Sequence, residues 1–211
     1  TFGFGMADVL LEPYGGQVLG LSVASTTKLT ALFALGTLVG FGFASKFLGQ
    51  GGSPVWYAIV GAAIGVPGFL AIIFASVSAA VVLFLIGTFL IGLGTGLFGH
   101  ATLTATIRAA PSNQIGLSLG AWGAVQATAA GIGIALAGIV RDLVVGLQHI
   151  AGNAPETPYN FVFTVEIVFL LLALLVTLPF LKDQKKNNVP PDPDGFRLPA
   201  SEQHSKSMEL S

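Results

Sequence analysis

The chain has 211 residues, of which 53% are hydrophobic and only 9% are charged. Soluble domains carry about 25% charged residues, so this composition excludes a soluble fold of this size. The net charge of −1 offers no basic surface for nucleic acid, and the lack of cysteine excludes disulfides and Cys-ligated metals. The sequence therefore predicts an integral membrane protein, in contact with lipid and with no nucleic-acid partner.

Long runs without charged residues predict membrane-spanning helices. No Asp, Glu, Lys or Arg occurs from residue 47 to 107 or from 109 to 140, and a helix needs about 20 apolar residues to cross a bilayer. A β-barrel would need short segments of alternating polarity, which these runs lack. We expect an all-α polytopic bundle over residues 1–181. In chain order it comprises a partial helix at 1–11 and spans at about 28–47, 55–76, 80–107, 115–140 and 161–181.

The opening residues are apolar, and we expect the chain to begin inside a helix of a longer protein. Pro13 and the pair Gly15-Gly16 predict a break after residue 11, because proline restricts the preceding residue and paired glycines favour a turn. Pro67 predicts a kink in the second complete span. Residues 143–150 are a candidate for a short interfacial helix after the span that ends at 140.

Residues 182–211 differ from the rest of the chain because they are rich in charge and proline, which predicts a disordered tail. Lys and Arg near span ends favour the cytoplasmic side of a membrane. The predicted spans place two groups of basic residues on opposite sides, and the larger group includes the tail, so the C-terminus is expected in the cytoplasm. The larger group is Lys46, Arg108, Lys182, Lys185 and Lys186, and the smaller is Lys28 and Arg141.

Glycines four residues apart predict close contacts between helices, since small residues one turn apart let two backbones approach. Four such pairs lie in the predicted spans and together indicate a tightly packed bundle. They are Gly36/Gly40, Gly61/Gly65, Gly92/Gly96 and Gly116/Gly120.

Three polar residues at membrane depth are candidates for a shared ligand site. His100 lies about 12 Å along its helix from Arg108, and neutral imidazole is a common metal ligand, so it could bind the metal of a pigment from one axial side. Trp122 and Gln126 are four residues apart and share one face of their helix. We predict that His100, Trp122 and Gln126 line one inward-facing site. The alternative is that each packs separately in a helix contact.

Three carboxylates complete the set of polar candidates. Asp8 and Glu12 are four residues apart, which allows proton coupling, or else marks a helix end at the outer surface with Lys28 as a counter-ion. Glu166 lies about one and a half turns into the last span and either faces a cavity or reaches the membrane interface. No nucleotide loop, zinc motif or nucleophile elbow occurs, so we expect neither an enzyme nor a protein metal site.

Three strings resemble a known family of membrane proteins. They are residues 5–16 (GMADVLLEPYGG), 96–104 (GLFGHATLT) and 119–131 (LGAWGAVQATAAG). Over about residues 1–181 the chain resembles the PucC/LhaA, or bacteriochlorophyll delivery, family of light-harvesting complex assembly proteins, a branch of the major facilitator superfamily. The resemblance is to the C-terminal half of these twelve-helix proteins, so the missing N-terminal half is an expected partner.

The resemblance implies a membrane assembly factor for photosynthetic pigment–protein complexes that handles chlorophyll or bacteriochlorophyll. Antenna or reaction-centre subunits are the expected partners, and a photosynthetic membrane, bacterial or thylakoid, is the expected location. The main alternative is a secondary transporter of a small solute with the same fold, because fold alone does not define function. A third is a structural chaperone that docks antenna helices through its glycine-rich surfaces.

Overall fold

The computed structural model describes residues 1–78, 80–151 and 154–187, with side chains up to 147 and from 154 to 181. Over these ranges the chain forms six helices, and five of them, α2 to α6, are long and apolar enough to cross a membrane. The prediction of an all-α polytopic membrane bundle is confirmed. The helices are α1 (Phe2–Gln17), α2 (Val23–Gly49), α3 (Pro54–Ser78), α4 (Val81–Ala109), α5 (Ile115–Ala151) and α6 (Thr157–Asn187).

The chain divides into two units after Pro179. The first unit, residues 1–179, contains every contact and cavity described below. The predicted tail at 182–211 overlaps the end of α6, which continues to Asn187. Lysine and glutamine are good helix formers, so charge alone does not end the helix at residue 181. Residues 188–211 lie outside the described residues.

Pro13 does not end α1, and the predicted break after residue 11 is wrong, because the helix continues to Gln17. Proline removes one backbone donor from a helix, but the residue that follows it is anchored in the core. Tyr14 is fully buried, and its hydroxyl donates to the carbonyl oxygen of Ile72 at 2.8 Å. Its ring centroid lies 5.2 Å from that of Phe84 and 5.6 Å from that of Tyr159. This tertiary packing holds the last turn of α1 in place.

The other helix ends differ from prediction at identifiable side chains. The hydroxyl of Ser22 accepts from the amide of Ser25 at 3.3 Å, and this cap starts α2 at Val23 rather than at residue 28. The helix α5 is longer than predicted and runs without a break to Ala151. It neither ends at residue 140 nor gives way to a separate helix at 143–150. Arg141 lies within the helix, where it donates to the side-chain oxygen of Gln17 on α1 at 3.3 Å and pairs with Asp142 at 3.0 Å.

Glycines bring α4 into backbone contact with α2. A Cβ atom at Gly92 would collide with the carbonyl oxygen of Phe33, and one at Gly96 with that of Thr37. The reciprocal glycines on α2 are Gly36 and Gly40, whose added Cβ atoms would collide with backbone carbonyls of α4. Two of the four predicted glycine pairs therefore form one seam, the α2–α4 seam.

A second glycine contact lies between α3 and α4. A Cβ atom at Gly61 would lie 2.8 Å from the carbonyl oxygen of Gly94, and one at Gly94 would lie 2.6 Å from that of Gly61. Gly65 instead accommodates the ring of Phe4 on α1. Added Cβ atoms at Gly116 and Gly120 on α5 would meet no atom within 4 Å. The prediction of tight contacts is confirmed for three pairs and is not met within this chain by the pair on α5.

Arg108, near the C-terminal end of α4, hydrogen-bonds to the C-terminal end of α2. Its guanidinium donates to the carbonyl oxygen of Leu48 at 2.7 Å and to that of Gly52 at 2.8 Å. The last carbonyls of a helix lack partners inside the helix, so a cation at this end satisfies them and complements the helix dipole.

We expect Arg108→Ala to lower the free energy of unfolding by about 1–2 kcal/mol, because two charge-assisted bonds at an exposed side chain are lost. Thermal unfolding in detergent measures this change. Lys46→Ala removes the same charge near the same end of α2 and serves as the control, with little expected change. Equal destabilisation by both substitutions would mean that charge, and not the backbone bonds, is responsible.

Candidate functional site

The unbroken helix α1 places Asp8 and Glu12 on one face, four residues apart. Both are exposed. Glu12 accepts a short hydrogen bond from the hydroxyl of Thr30 on α2, so its partner is a neighbouring helix and not the predicted counter-ion Lys28. Asp8 lies one turn back and lines a cavity. The two carboxylates therefore have separate surroundings although they share a face.

A cavity of about 200 Å³ lies between α1, α2, α4 and α5. We call it the four-helix cavity. Its wall combines aromatic rings with a few polar groups, the composition typical of small-molecule sites. The wall consists of Thr1, Phe4, Gly5, Asp8, Phe33, Thr95, Phe98, Gly99, Gln126 and Ala130.

The contribution of α4 to this cavity follows from helical periodicity. Thr95, Phe98 and Gly99 recur at intervals of three and four residues and therefore share one face. Thr102 continues this face beyond the cavity, toward Trp122. The hydroxyl of Thr95 donates to the carbonyl oxygen of Ile91 at 2.8 Å, which satisfies the donor and leaves the oxygen able to accept. Thr95 and the phenylalanines were not among the predicted site residues, although this spacing could have indicated them.

Of the three residues predicted to share a ligand site, Gln126 lies in the four-helix cavity. Its side-chain oxygen accepts a short hydrogen bond from the hydroxyl of Thr1. A glutamine amide carries both an acceptor and a donor group. Gln126 and Asp8 both line the wall of this cavity, although they were predicted as members of two separate groups of polar candidates.

Trp122 lies one turn from Gln126 but in a different depression. Its indole N–H donates to the hydroxyl of Thr102 at 3.4 Å, which links α5 to α4. The ring lines a shallow groove of about 410 Å³ together with Thr106, Ser118, Ala121 and Val125. Trp122 and Gln126 share a helix face as predicted, and the structure places them in adjacent depressions on it.

His100 lies on the other side of α4. Residues two apart on a helix point about 200° apart, so His100 is turned away from Thr102 and from α5. Its ring packs edge-on against Phe41 of α2, with centroids 5.2 Å apart, and its buried Nδ1 has no hydrogen-bond partner among the described residues. His100 lines neither the four-helix cavity nor the groove at Trp122. The structure therefore does not bring His100, Trp122 and Gln126 to a common cavity.

Glu166 faces neither that cavity nor the membrane interface. Its side chain is fully buried at the centre of the inward stripe of α6. Neither carboxyl oxygen has a hydrogen-bond partner in the described part of the chain. The other stripe members are Tyr159, Val162, Phe163 and Leu170, all buried.

Metal-binding clusters of three or more His, Cys, Asp or Glu side chains are not found within the described ranges. The polar groups of the four-helix cavity are oxygen and amide groups carried on three different helices. Such a wall can position a largely apolar ligand by a few hydrogen bonds, and its carboxylate and amide oxygens suit a hard cation such as Mg²⁺.

Comparison with known proteins identifies the same family from a family model and from individual relatives. The family described as "PUCC protein" matches residues 1–185. The chain is 62% identical over 185 residues to Protein PucC of Rhodobacter capsulatus and 56% identical over 182 residues to Protein PucC of Cereibacter sphaeroides. Each match covers 86% of this chain and 40% of the relative.

A more distant similarity extends over nearly the same region. The chain is 29% identical over 181 residues to a protein of Rhodobacter capsulatus named "Bacteriochlorophyll synthase 44.5 kDa chain", covering 82% of this chain and 40% of that one. The chain therefore spans about 40% of the length of each of these three relatives.

Proposed function

The chain belongs to the PucC family, and on that premise we propose that it is part of a membrane assembly factor for light-harvesting complexes that handles bacteriochlorophyll or chlorophyll. The observation that carries the proposal is the four-helix cavity, where aromatic rings and a few polar groups meet at membrane depth. The name of the distant relative, which includes bacteriochlorophyll synthase, supports a pigment as the ligand. We propose a binding role for this chain and not a catalytic one.

The residues of the cavity fit part of a chlorophyll-type ring. Phe4, Phe33 and Phe98 offer flat apolar walls, and the amide of Gln126 can donate to a ring carbonyl. The oxygens of Asp8 and Gln126 are donors of the kind that Mg²⁺ accepts. The pigment, when bound, would supply the light-absorbing group that the assembled antenna needs.

Size limits what this chain can enclose. Sites for drug-sized ligands measure about 300–1,000 Å³, whereas the four-helix cavity measures about 200 Å³. The cavity therefore fits an edge of the macrocycle and not the whole ring. We propose that this chain forms one wall of the site and that the arrangement is that of one half of a major-facilitator-type fold, whose cavities lie between two halves.

A secondary transporter of a small solute is the second candidate function, favoured by one specific observation. Asp8 is an exposed carboxylate in the wall of the cavity, and ionisable groups at membrane depth commonly mark ion or proton pathways. Uptake of a labelled solute driven by a proton gradient, and lost in Asp8→Asn, would favour transport over pigment handling.

His100→Phe is expected to leave pigment retention within about twofold of wild type, because the ring lies on the α2 side of α4 and outside the cavity. Phenylalanine keeps the packing against Phe41 and removes the nitrogen donors. Retention is measured as the ratio of tetrapyrrole absorbance to protein after mild purification. A large loss in a folded variant would assign the axial-ligand role to His100 after all.

A tag placed after residue 185 is expected to be accessible only from the cytoplasmic side. Two observations support this orientation. Arg108 bonds to the end of α2 that carries Lys46, and Arg141 bonds to Gln17 at the opposite end of the bundle, so these two arginines lie at opposite ends, as the predicted orientation requires. Protease protection in oriented vesicles tests it, and cleavage from the outer side of the membrane would reverse the topology.

A further inference from the structure

We propose that Glu166 is a proton-binding site within the membrane and that its neutral form holds α1 against α6. The proposal goes beyond pigment handling and does not depend on it. It begins from position, because Glu166 lies about nine residues, or roughly 14 Å, from the start of α6. This distance places the carboxyl inside the candidate span Thr157–Leu181, between its end and its middle.

The buried surroundings of Glu166 contain no group that would stabilise a negative charge on its carboxyl. Across the interface, a Cβ atom at Gly3 would lie 3.3 Å from the Cβ atom of Phe169 and 3.4 Å from the backbone oxygen of Glu166, so the two helices are in direct contact there. The carboxyl faces the backbone of Ala7, but neither of its oxygens reaches hydrogen-bond geometry with a described donor. A buried, unpaired carboxylate is far more costly than the neutral acid. The packed arrangement therefore selects the protonated form.

The groups around Glu166 supply no counter-charge. On α1 the titratable side chains are Asp8 and Glu12, both exposed, and Tyr14, whose hydroxyl is already bonded to Ile72. On α6 the nearest is Tyr159, which donates to Gln17 at 2.6 Å. From α3, the apolar Phe69 and Gly65 pack against α6, and Ser76 accepts from Asn160. From α5, Arg141 lies over the ring of Tyr159 at 5.3 Å, about two helical turns from Glu166. Loss of the proton would leave a bare negative charge in this interface.

Release of the proton therefore requires water, and water requires movement of α1. A crevice of about 320 Å³ lies between the start of α1 and α6, and its wall includes Gly3, Phe169 and Leu170, about one turn from Glu166. When water enters, the O–H bond of the carboxyl breaks and the proton passes to water; uptake reverses this. Because α1 carries Phe4 and Asp8 in the wall of the four-helix cavity, the proton on Glu166 and the shape of that cavity are linked.

Infrared spectroscopy of the full-length protein in lipid tests the protonation state. A neutral carboxylic acid has a carbonyl band distinct from those of amides and carboxylates. We expect such a band at neutral pH, its loss in Glu166→Gln and its retention in the control Thr164→Val, on the exposed face of the same helix. Absence of the band, or its survival in Glu166→Gln, would overturn the proposal. If Glu166→Gln does not fold, Glu166→Leu provides the same test.

The link to α1 is tested with Ala7→Cys, because Ala7 is fully buried and this chain has no other cysteine. In the full-length protein with any other cysteines replaced, maleimide labelling of Ala7→Cys is divided by that of Val9→Cys, an exposed position on the same helix, which removes the pH dependence of the thiolate itself. This ratio is expected to rise about tenfold or more from neutral to alkaline pH. With Glu166→Gln added, the ratio is expected to stay low throughout. A ratio that is independent of pH, or equally dependent with Glu166→Gln, would refute the link. Pigment retention plays no part in either measurement, so the two proposals can fail separately.

Discussion

Gly96→Val is expected to prevent α2 and α4 from packing and to reduce the yield of folded protein severely. A Cβ atom at Gly96 would collide with the carbonyl oxygen of Thr37, and a backbone atom cannot rotate away as a side chain can. The helices would have to separate along the α2–α4 seam, with a cost of about 3 kcal/mol or more. Gly92→Val meets Phe33 in the same way, and we expect the same outcome.

Gly42→Val is the matched control. Gly42 lies on α2 within the same stretch of membrane, and a Cβ atom there would meet nothing within 4 Å. Valine has a slightly better intrinsic helix propensity than glycine, so little change is expected. Size-exclusion chromatography and thermal unfolding in detergent measure both variants. If Gly96→Val behaved like Gly42→Val, the proposed backbone contact would be refuted.

Gln126→Leu is expected to reduce retained pigment by about tenfold while leaving the bundle folded. The substitution keeps the side-chain bulk and removes the amide from the wall of the four-helix cavity. Loss of one hydrogen bond at a buried polar contact costs about 1–3 kcal/mol, and 1.4 kcal/mol corresponds to a tenfold change in affinity. Tetrapyrrole absorbance per protein after mild purification is the measurement.

Thr128→Val is the control for Gln126→Leu, since it also removes a polar group from α5 but at an exposed position. We expect pigment retention and antenna assembly to be unchanged. Asp8→Asn separates the two candidate functions. Retained pigment with lost proton-driven uptake would favour the transporter, whereas lost pigment in both Asp8→Asn and Gln126→Leu would favour pigment handling. Equal retention in Gln126→Leu and Thr128→Val would remove Gln126 from the site.

Much of the fold could be predicted because charge-free runs and glycine spacing are local signals. The α2–α4 seam follows from Gly36, Gly40, Gly92 and Gly96, which recur at one-turn intervals. The end of α1 could not be predicted from local signals. Pro13 and Gly15 favour a break, and the helix persists because Tyr14 packs against side chains far away in sequence. The end of α5 was missed for a similar reason, since its Arg141 bonds to Gln17 on α1.

The candidate site was harder to predict because it depends on how the helices are rotated. Membrane depth indicated both His100 and Gln126, but depth does not indicate which way a side chain points. The α2–α4 seam turns the His100 side of α4 toward α2, while Thr95 and Phe98 face the cavity with Gln126. The buried position of Glu166 likewise depends on its stripe packing against α1, and the sequence left its environment open.

The absorption spectrum of the full-length protein, purified in mild detergent beside its Gln126→Leu variant, tests the central claim most directly. The proposed function predicts tetrapyrrole bands that co-elute with the wild-type protein and are about tenfold weaker in the variant. A wild-type protein that is folded yet colourless when prepared from pigment-producing cells would contradict it. So would equal bands in wild type and Gln126→Leu, since the pigment would then be bound outside the four-helix cavity.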